Sequence, residues 1–192
     1  MPPYVHCASL LCTTAVMLVS GGCRPVASAA AAGHAQTRAA HPAVIEARGG
    51  ERRLLRGTAP LWIKVDPVTT GSTRMVMGSS DLPPGDAIGV HRHLREDEII
   101  FITRGTARIQ LGSQHYSAGP GDAVFIPQGT CIAVTNIGSD TLSNTFVFSS
   151  PGFEQVLRAV STLPGEPSRV LSAAERAAAF HTGHAEAGPT DC

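Results

Sequence analysis

The stretch GDAIGVHRHLREDEIIFITRG, residues 85–105, holds two short runs of alternating side chains around a polar bend, Leu94–Asp97. Alternation with a period of two reads as β-strand, because successive side chains leave the pleat on opposite faces. The segment thus predicts one strand over Ala87–His93 and a second from Glu98 to Thr103. On the first strand His91 and His93 share a face, and Glu98 opens the second strand beside them. Two imidazoles and a carboxylate on one face form a facial set that binds a divalent metal and leaves coordination positions open.

Outward from this pair the same texture continues. Further strands are expected at Leu61–Val65, Arg74–Ser79, Ala107–Leu111, Gln114–Ser117, Ala123–Ile126, Cys131–Asn136 and Thr141–Phe148. Gly/Pro/Asp turns such as Pro83-Pro84-Gly85-Asp86 and Gly119-Pro120-Gly121-Asp122 separate them. Many short strands at regular spacing predict an all-β sandwich or barrel. Two short helices are expected after the strands, Phe153–Val160 and Ser172–Phe180, the second with Ser172 and Glu175 at capping-box spacing. Residues 188–192 read as a frayed tail.

The spacing Gly85-x5-His91-x-His93-x4-Glu98-x6-Gly105, followed by Gly121-x5-Pro127-x-Gly129, resembles the two signatures of the cupin superfamily. The resemblance implies a double-stranded β-helix, a jelly-roll barrel, with a divalent metal (Fe, Mn, Ni, Cu, Co or Zn) in its mouth. It carries His91, His93 and Glu98 over as metal ligands. The family's fourth ligand, a histidine, falls on Ile132, while Asn136 fits the pattern and fixes the register. Cys131 and His115 are weaker substitutes: strand alternation points Cys131 to the opposite face, where it reads as a buried inert thiol, and His115 reads as exposed. The sequence HxHxxEDE, the later AGPGD and Pro151-Gly152-Phe153-Glu154 make the chain similar to small quercetin dioxygenase-like cupins. That likeness implies oxidative cleavage of a flavonol- or catechol-like ring, with Glu98 as the catalytic proton acceptor. Two other readings stay open: a small-molecule-binding cupin with a degenerate metal site, and a metal-dependent isomerase. Homodimers, common among cupins, are also implied.

Arg92 and Arg95 read as solvated, and Glu96 and Asp97 as rim residues. Ile100, Ile102 and Ile132 are expected to line the barrel with Glu98, giving a small-molecule site that is apolar apart from one polar cluster.

Composition narrows the function classes. Lys and Arg total 15 against 15 Asp and Glu among 192 residues, which leaves no basic excess for nucleic acid. With 5% aromatic residues, base-stacking platforms are not expected either. No GxSxG, Walker loop, HExxH or CxxC occurs.

Residues 1–29 read as an export signal: the apolar run Ala8–Val19 is too short to span a bilayer. Gly21-Gly22-Cys23 resembles a lipoprotein cleavage box, which would tether the chain to a membrane through Cys23, although Ser20 and the lack of a preceding Lys or Arg depart from that pattern. Ala27-Ser28-Ala29 offers ordinary cleavage instead. The expected product is periplasmic, membrane-anchored or secreted. A flexible linker is read over 30–50, the cupin domain over 51–163 and a C-terminal helix and tail over 164–192. Arg48, Arg52, Arg53 and Arg56 read as a solvated basic edge. Cys131 and Cys192, the cysteines left after processing, are too few for a disulfide framework.

Overall fold

The computed structural model describes residues 39–192; the signal and lipoprotein readings lie outside them. In chain order the elements are β1 (Glu51–Leu55), β2 (Ala59–Val65), β3 (Val76–Leu82), β4 (Ala87–His93), β5 (Glu98–Arg104), β6 (Ala107–Leu111), β7 (Gln114–Ala118), β8 (Ala123–Ile126), β9 (Cys131–Asn136), β10 (Leu142–Phe148), α1 (Phe153–Ala159), β11 (Ser161–Thr162), α2 (Ala173–Thr182) and β12 (Ala185–Ala187). They form two antiparallel sheets, ordered β11-β1-β2-β3-β10-β5-β8 and β12-β4-β9-β6-β7. This is a double-stranded β-helix, as expected.

The alternation that predicted the strands is the alternation that fills the barrel. On β3 and β10 every second residue is buried, from Val76 to Leu82 and from Leu142 to Phe148. Leu61, Ile63, Ile102, Ile109, Ile126 and Ile132 complete a core of β-branched and leucine side chains. Each such residue gains roughly 1.5–3 kcal/mol on leaving water.

One position breaks the alternation and decides where the histidines point. Ile88 pairs with Val134 on β9, yet His91 pairs with Ile132, so three steps on β4 match two on β9. The extra residue is a β-bulge around Gly89–Val90. Without it, Ile88 facing inward would place Val90 and Arg92 inward as well. With it, His91 and His93 are buried and Arg92 faces out.

The two signature segments also meet here. The Gly129 N–H donates to the His93 carbonyl at 2.7 Å, and Gln128 Nε2 donates to the Leu94 carbonyl at 2.6 Å. Gly129 has φ 79°, a conformation that costs glycine nothing. The bend over 94–97 is thereby held against the Pro127–Gly129 turn, which sets Glu98 at the head of β5.

Four expectations need correction. The arginine-rich edge is partly β1: Arg53 donates to Ser161 Oγ at 2.7 Å and to the carbonyls of Arg158 and Ser161, so it is a packing residue. The interruption of the apolar pattern by charge hid this strand. The tail over 188–192 is not frayed: it follows β12, which pairs with the histidine strand, its Gly188 N–H donates to the Val90 carbonyl at 2.8 Å, and its last residue is crosslinked. Finally, Cys131 is no free thiol: it forms a disulfide with Cys192 across 61 residues, with Cα atoms 5.9 Å apart. Arg92 adds ion pairs to Glu186 at 2.5 Å and Asp191 at 2.8 Å, so it is engaged rather than free in solvent. The capping box at Ser172 and Glu175 is present as expected.

A crosslink closing a loop of this length stabilises by restricting the unfolded chain. Cys192→Ser is expected to lower unfolding free energy by about 2–4 kcal/mol in urea titrations, and reductant should lower the parent to the same level. Identical curves for parent and variant would show that the bond does not form.

Candidate metal centre and cavity

His91 and His93 enter the barrel from β4, and Glu98 enters from β5 in the facing sheet. All three are buried, and one ligand atom from each lies within 4.8 Å of the others. The closest pair is His93 Nε2 and Glu98 Oε2 at 3.1 Å. Adjacent ligands on an ion with bonds of about 2.1 Å stand about 3 Å apart, so this separation suits a shared cation.

The bulge does more than turn His91 inward. His91 Nδ1 lies 2.9 Å from the Gly89 carbonyl oxygen, a contact that only an N–H can make. That fixes the tautomer and leaves Nε2 with its lone pair free. Burial, and next the neighbouring His93, push the His91 pKa down from 6.5 to about 4, against smaller opposing effects of Glu98 and the Gly89 bond. At neutral pH the ring is uncharged, the form that ligates a metal.

Glu96 departs from expectation. It is completely buried rather than on the rim, and neither carboxylate oxygen finds a hydrogen-bond partner among the described residues. A Cβ at Gly152 would collide with it, so the glycine before α1 is what admits the carboxylate. Burial is the largest influence on it and raises its pKa above the ordinary carboxylate value. His93 Nδ1 is likewise buried and unpartnered among the described residues. An orphaned ring nitrogen beside an orphaned carboxylate suits a metal site, since a ligating histidine hands its other N–H to an acceptor. Asp97 does lie at the surface, where it accepts from the Gln128 amide at 2.8 Å.

The donor set therefore fits a divalent cation. Ile132 stands at the fourth position, fully buried and paired with His91, and supplies no donor. Cys131 is committed to its disulfide and His115 is exposed, so neither replaces it.

Aromatic rings wall the imidazoles. Phe153 stacks on His91 at 5.2 Å between centroids and 13° between planes, and meets His93 edge-on at 4.3 Å. Phe148 lies 5.1 Å from His93, and Phe180 of α2 is 6.5 Å from His91. The stretch Pro151–Glu154 signalled this region, but the proximity of Phe180 depends on a return of the chain that local pattern does not show. A cavity of about 200 Å³ opens from His91 and Glu98 and is lined by Ile100, Phe146, Phe148, Phe153, Val156 and Phe180. Ile102 and Ile132 pack in the core instead of lining this space.

Residues 78–148 match the cupin domain family model. The match runs from β3 through β10, the strands that carry His91, His93 and Glu98. Two curated Streptomyces proteins resemble the chain: polyketide synthase CurC of S. cyaneus, 26% identical over 53% of this chain, and protein SchB of S. halstedii, 28% identical over 47%. The chain spans about three fifths of each relative, 60% and 59%. Among solved structures, the chain is similar to a predicted oxalate decarboxylase from Thermotoga maritima, with 21% identity, TM-score 0.50, and coverage of 56% of this chain and 99% of the other. KdgF from Halomonas sp. aligns with TM-score 0.50 and 16% identity over 57% of this chain and 94% of its own. These structures share the fold.

The lowered His91 pKa gives a signed pH dependence for the metal-free protein. Below pH 6.5 the unfolded chain takes up a proton that the folded one refuses until about pH 4. Stability held above 6.5 is therefore lost as pH falls across that window. Between pH 7 and 4.5 the metal-free parent should lose about 2–3 kcal/mol more than His91→Gln in urea titrations. Parallel losses in the two proteins would refute the assignment.

Proposed function

We propose that the cupin holds one divalent metal through His91, His93 and Glu98 and acts as an oxygenase on an aromatic ring bearing adjacent oxygens. The observation that carries this reading is the convergence of the three donors on a cavity walled by Phe146, Phe148, Phe153 and Phe180. Flat apolar walls favour a ring, and the His91–Glu98 polar cluster at one end selects a ring with oxygen substituents there. One relative carries the name polyketide synthase, and polyketides include fused-ring phenols of this character.

A bound divalent ion supplies Lewis acidity toward a phenolic oxygen and, if redox-active, a site for dioxygen. The chain's own residues do the rest. Gly89 holds His91 in its ligating tautomer, and the buried Glu96 carboxylate adds negative charge near His93. Phe153 and Phe180 keep water from the cluster, which strengthens every charge interaction inside it. The Glu98 carboxylate is the acceptor for the proton that leaves the substrate hydroxyl.

A second reading, ligand binding without turnover, is favoured by one feature only, the isoleucine at the fourth-ligand position. A substitution series separates the two. The parent, purified without chelator, should retain close to one equivalent of metal and consume oxygen with a catechol or flavonol panel. Glu98→Gln should weaken metal affinity by at least about tenfold, and Ile132→His should strengthen it. Metal retention with panel binding but no oxygen uptake would select the binding reading. Less than about a tenth of an equivalent in the parent would overturn the metal site itself.

The export reading of the N-terminal segment gains support from the Cys131–Cys192 bond, since disulfides persist in oxidising compartments. Fractionation of the producing cells should recover a processed chain outside the cytoplasm; an unprocessed cytoplasmic product would refute export.

A further inference from the structure

Beyond the metal cluster, the cavity contains a second polar group that the proposed chemistry does not use. Ser80 on β3 and Asn144 on β10 are buried, at 2% and 4% exposure, and both line the cavity. Asn144 Nδ2 donates to Ser80 Oγ at 2.9 Å. Among the described residues, no donor meets Asn144 Oδ1 and no acceptor takes the Ser80 hydroxyl proton. An acceptor and a donor thus stand unspent in a chamber otherwise walled there by Leu61, Phe146 and Val134.

Buried polar groups cost stability unless satisfied, and an apolar pair of the same shape would serve the barrel as well or better. Asn144 faces Ser80 on one side and Ile102 on the other, at a register shift on β10. Phe148, the partner of Glu98, lies four residues further along the same strand. That places the pair about 13 Å along the strand from the metal end of the cavity. The walls between them come from Phe146, Ile100 and Phe148.

Resting on the proposed function, we infer that Ser80 and Asn144 form a distal anchor that reads an oxygen at the far end of an elongated, linearly fused aromatic substrate. A hydroxyl there donates to Asn144 Oδ1 and accepts from Ser80 Oγ; a quinone carbonyl accepts from Ser80 alone. The ligand class is a linear fused-ring phenol or hydroxyquinone with oxygens at both ends. A single-ring catechol would engage the metal end only.

The test uses Zn(II)-loaded full-length protein, in which only binding is read, with two probes. One is 1,2-dihydroxyanthraquinone; the other is 1,2,6-trihydroxyanthraquinone, which adds a distal hydroxyl. The parent should bind the second about five- to tenfold more tightly. Asn144→Leu, which conserves volume, and Ser80→Ala should each erase most of that preference while leaving zinc content and affinity for the first probe within about twofold. Folding of each variant is checked by its thermal transition. Equal affinities in the parent, or a preference that survives both substitutions, would overturn the anchor and leave the metal reading intact. If neither probe binds the zinc-loaded parent, the aromatic-substrate reading fails and the anchor with it.

Discussion

The extra residue at Gly89–Val90 shifts every later side chain of β4 by one pleat. A strand period of two admits no intermediate, so the bulge alone decides whether His91 and His93 face the barrel or the solvent. The bulge also supplies the Gly89 carbonyl that holds the His91 ring. A single backbone irregularity therefore aims two imidazoles and sets the tautomer of one. Glu98 reaches the same point from the other sheet because the bend before it is bonded to the Pro127–Gly129 turn. The two cupin-like signatures in the sequence are, in physical terms, the two halves of this brace.

The C-terminal segment completes the site from outside. β12 extends the sheet beside β4, α2 brings Phe180 toward His91, and the Cys131–Cys192 bond ties the end of the chain to β9. Arg92, turned outward by the bulge, is bound by Glu186 and Asp191 of the same segment. The face of β4 that does not carry ligands thus anchors the cover, and the face that does lies beneath it.

Much of this was legible in the sequence. Strands with clean alternation, such as Ala107–Leu111 and Cys131–Asn136, are found at the expected bounds, and Ser172 with Glu175 gave the start of α2. The clustering of His91, His93 and Glu98 followed from spacing. What escaped depended on contacts between distant residues. Glu96 reads as a surface charge in an acidic bend, and only the space left by Gly152 makes it interior. The arginines of β1 mask a strand because their partners lie more than a hundred residues away. Cys192 was legible as a thiol but not as half of a pair. The bulge itself had a signal, a glycine inside a strand pattern; strict alternation between His91 and His93 gave their shared face without it.

The most direct measurement is X-ray absorption on the Co(II)-loaded protein, supported by a crystal structure of the same complex. Two imidazole nitrogens and one carboxylate oxygen at about 2.0–2.2 Å, assigned to His91, His93 and Glu98, are expected. A cobalt ion bound elsewhere on the chain, or a spectrum of aquated cobalt with these three side chains still contacting only one another, would contradict the metal centre on which the functional reading stands.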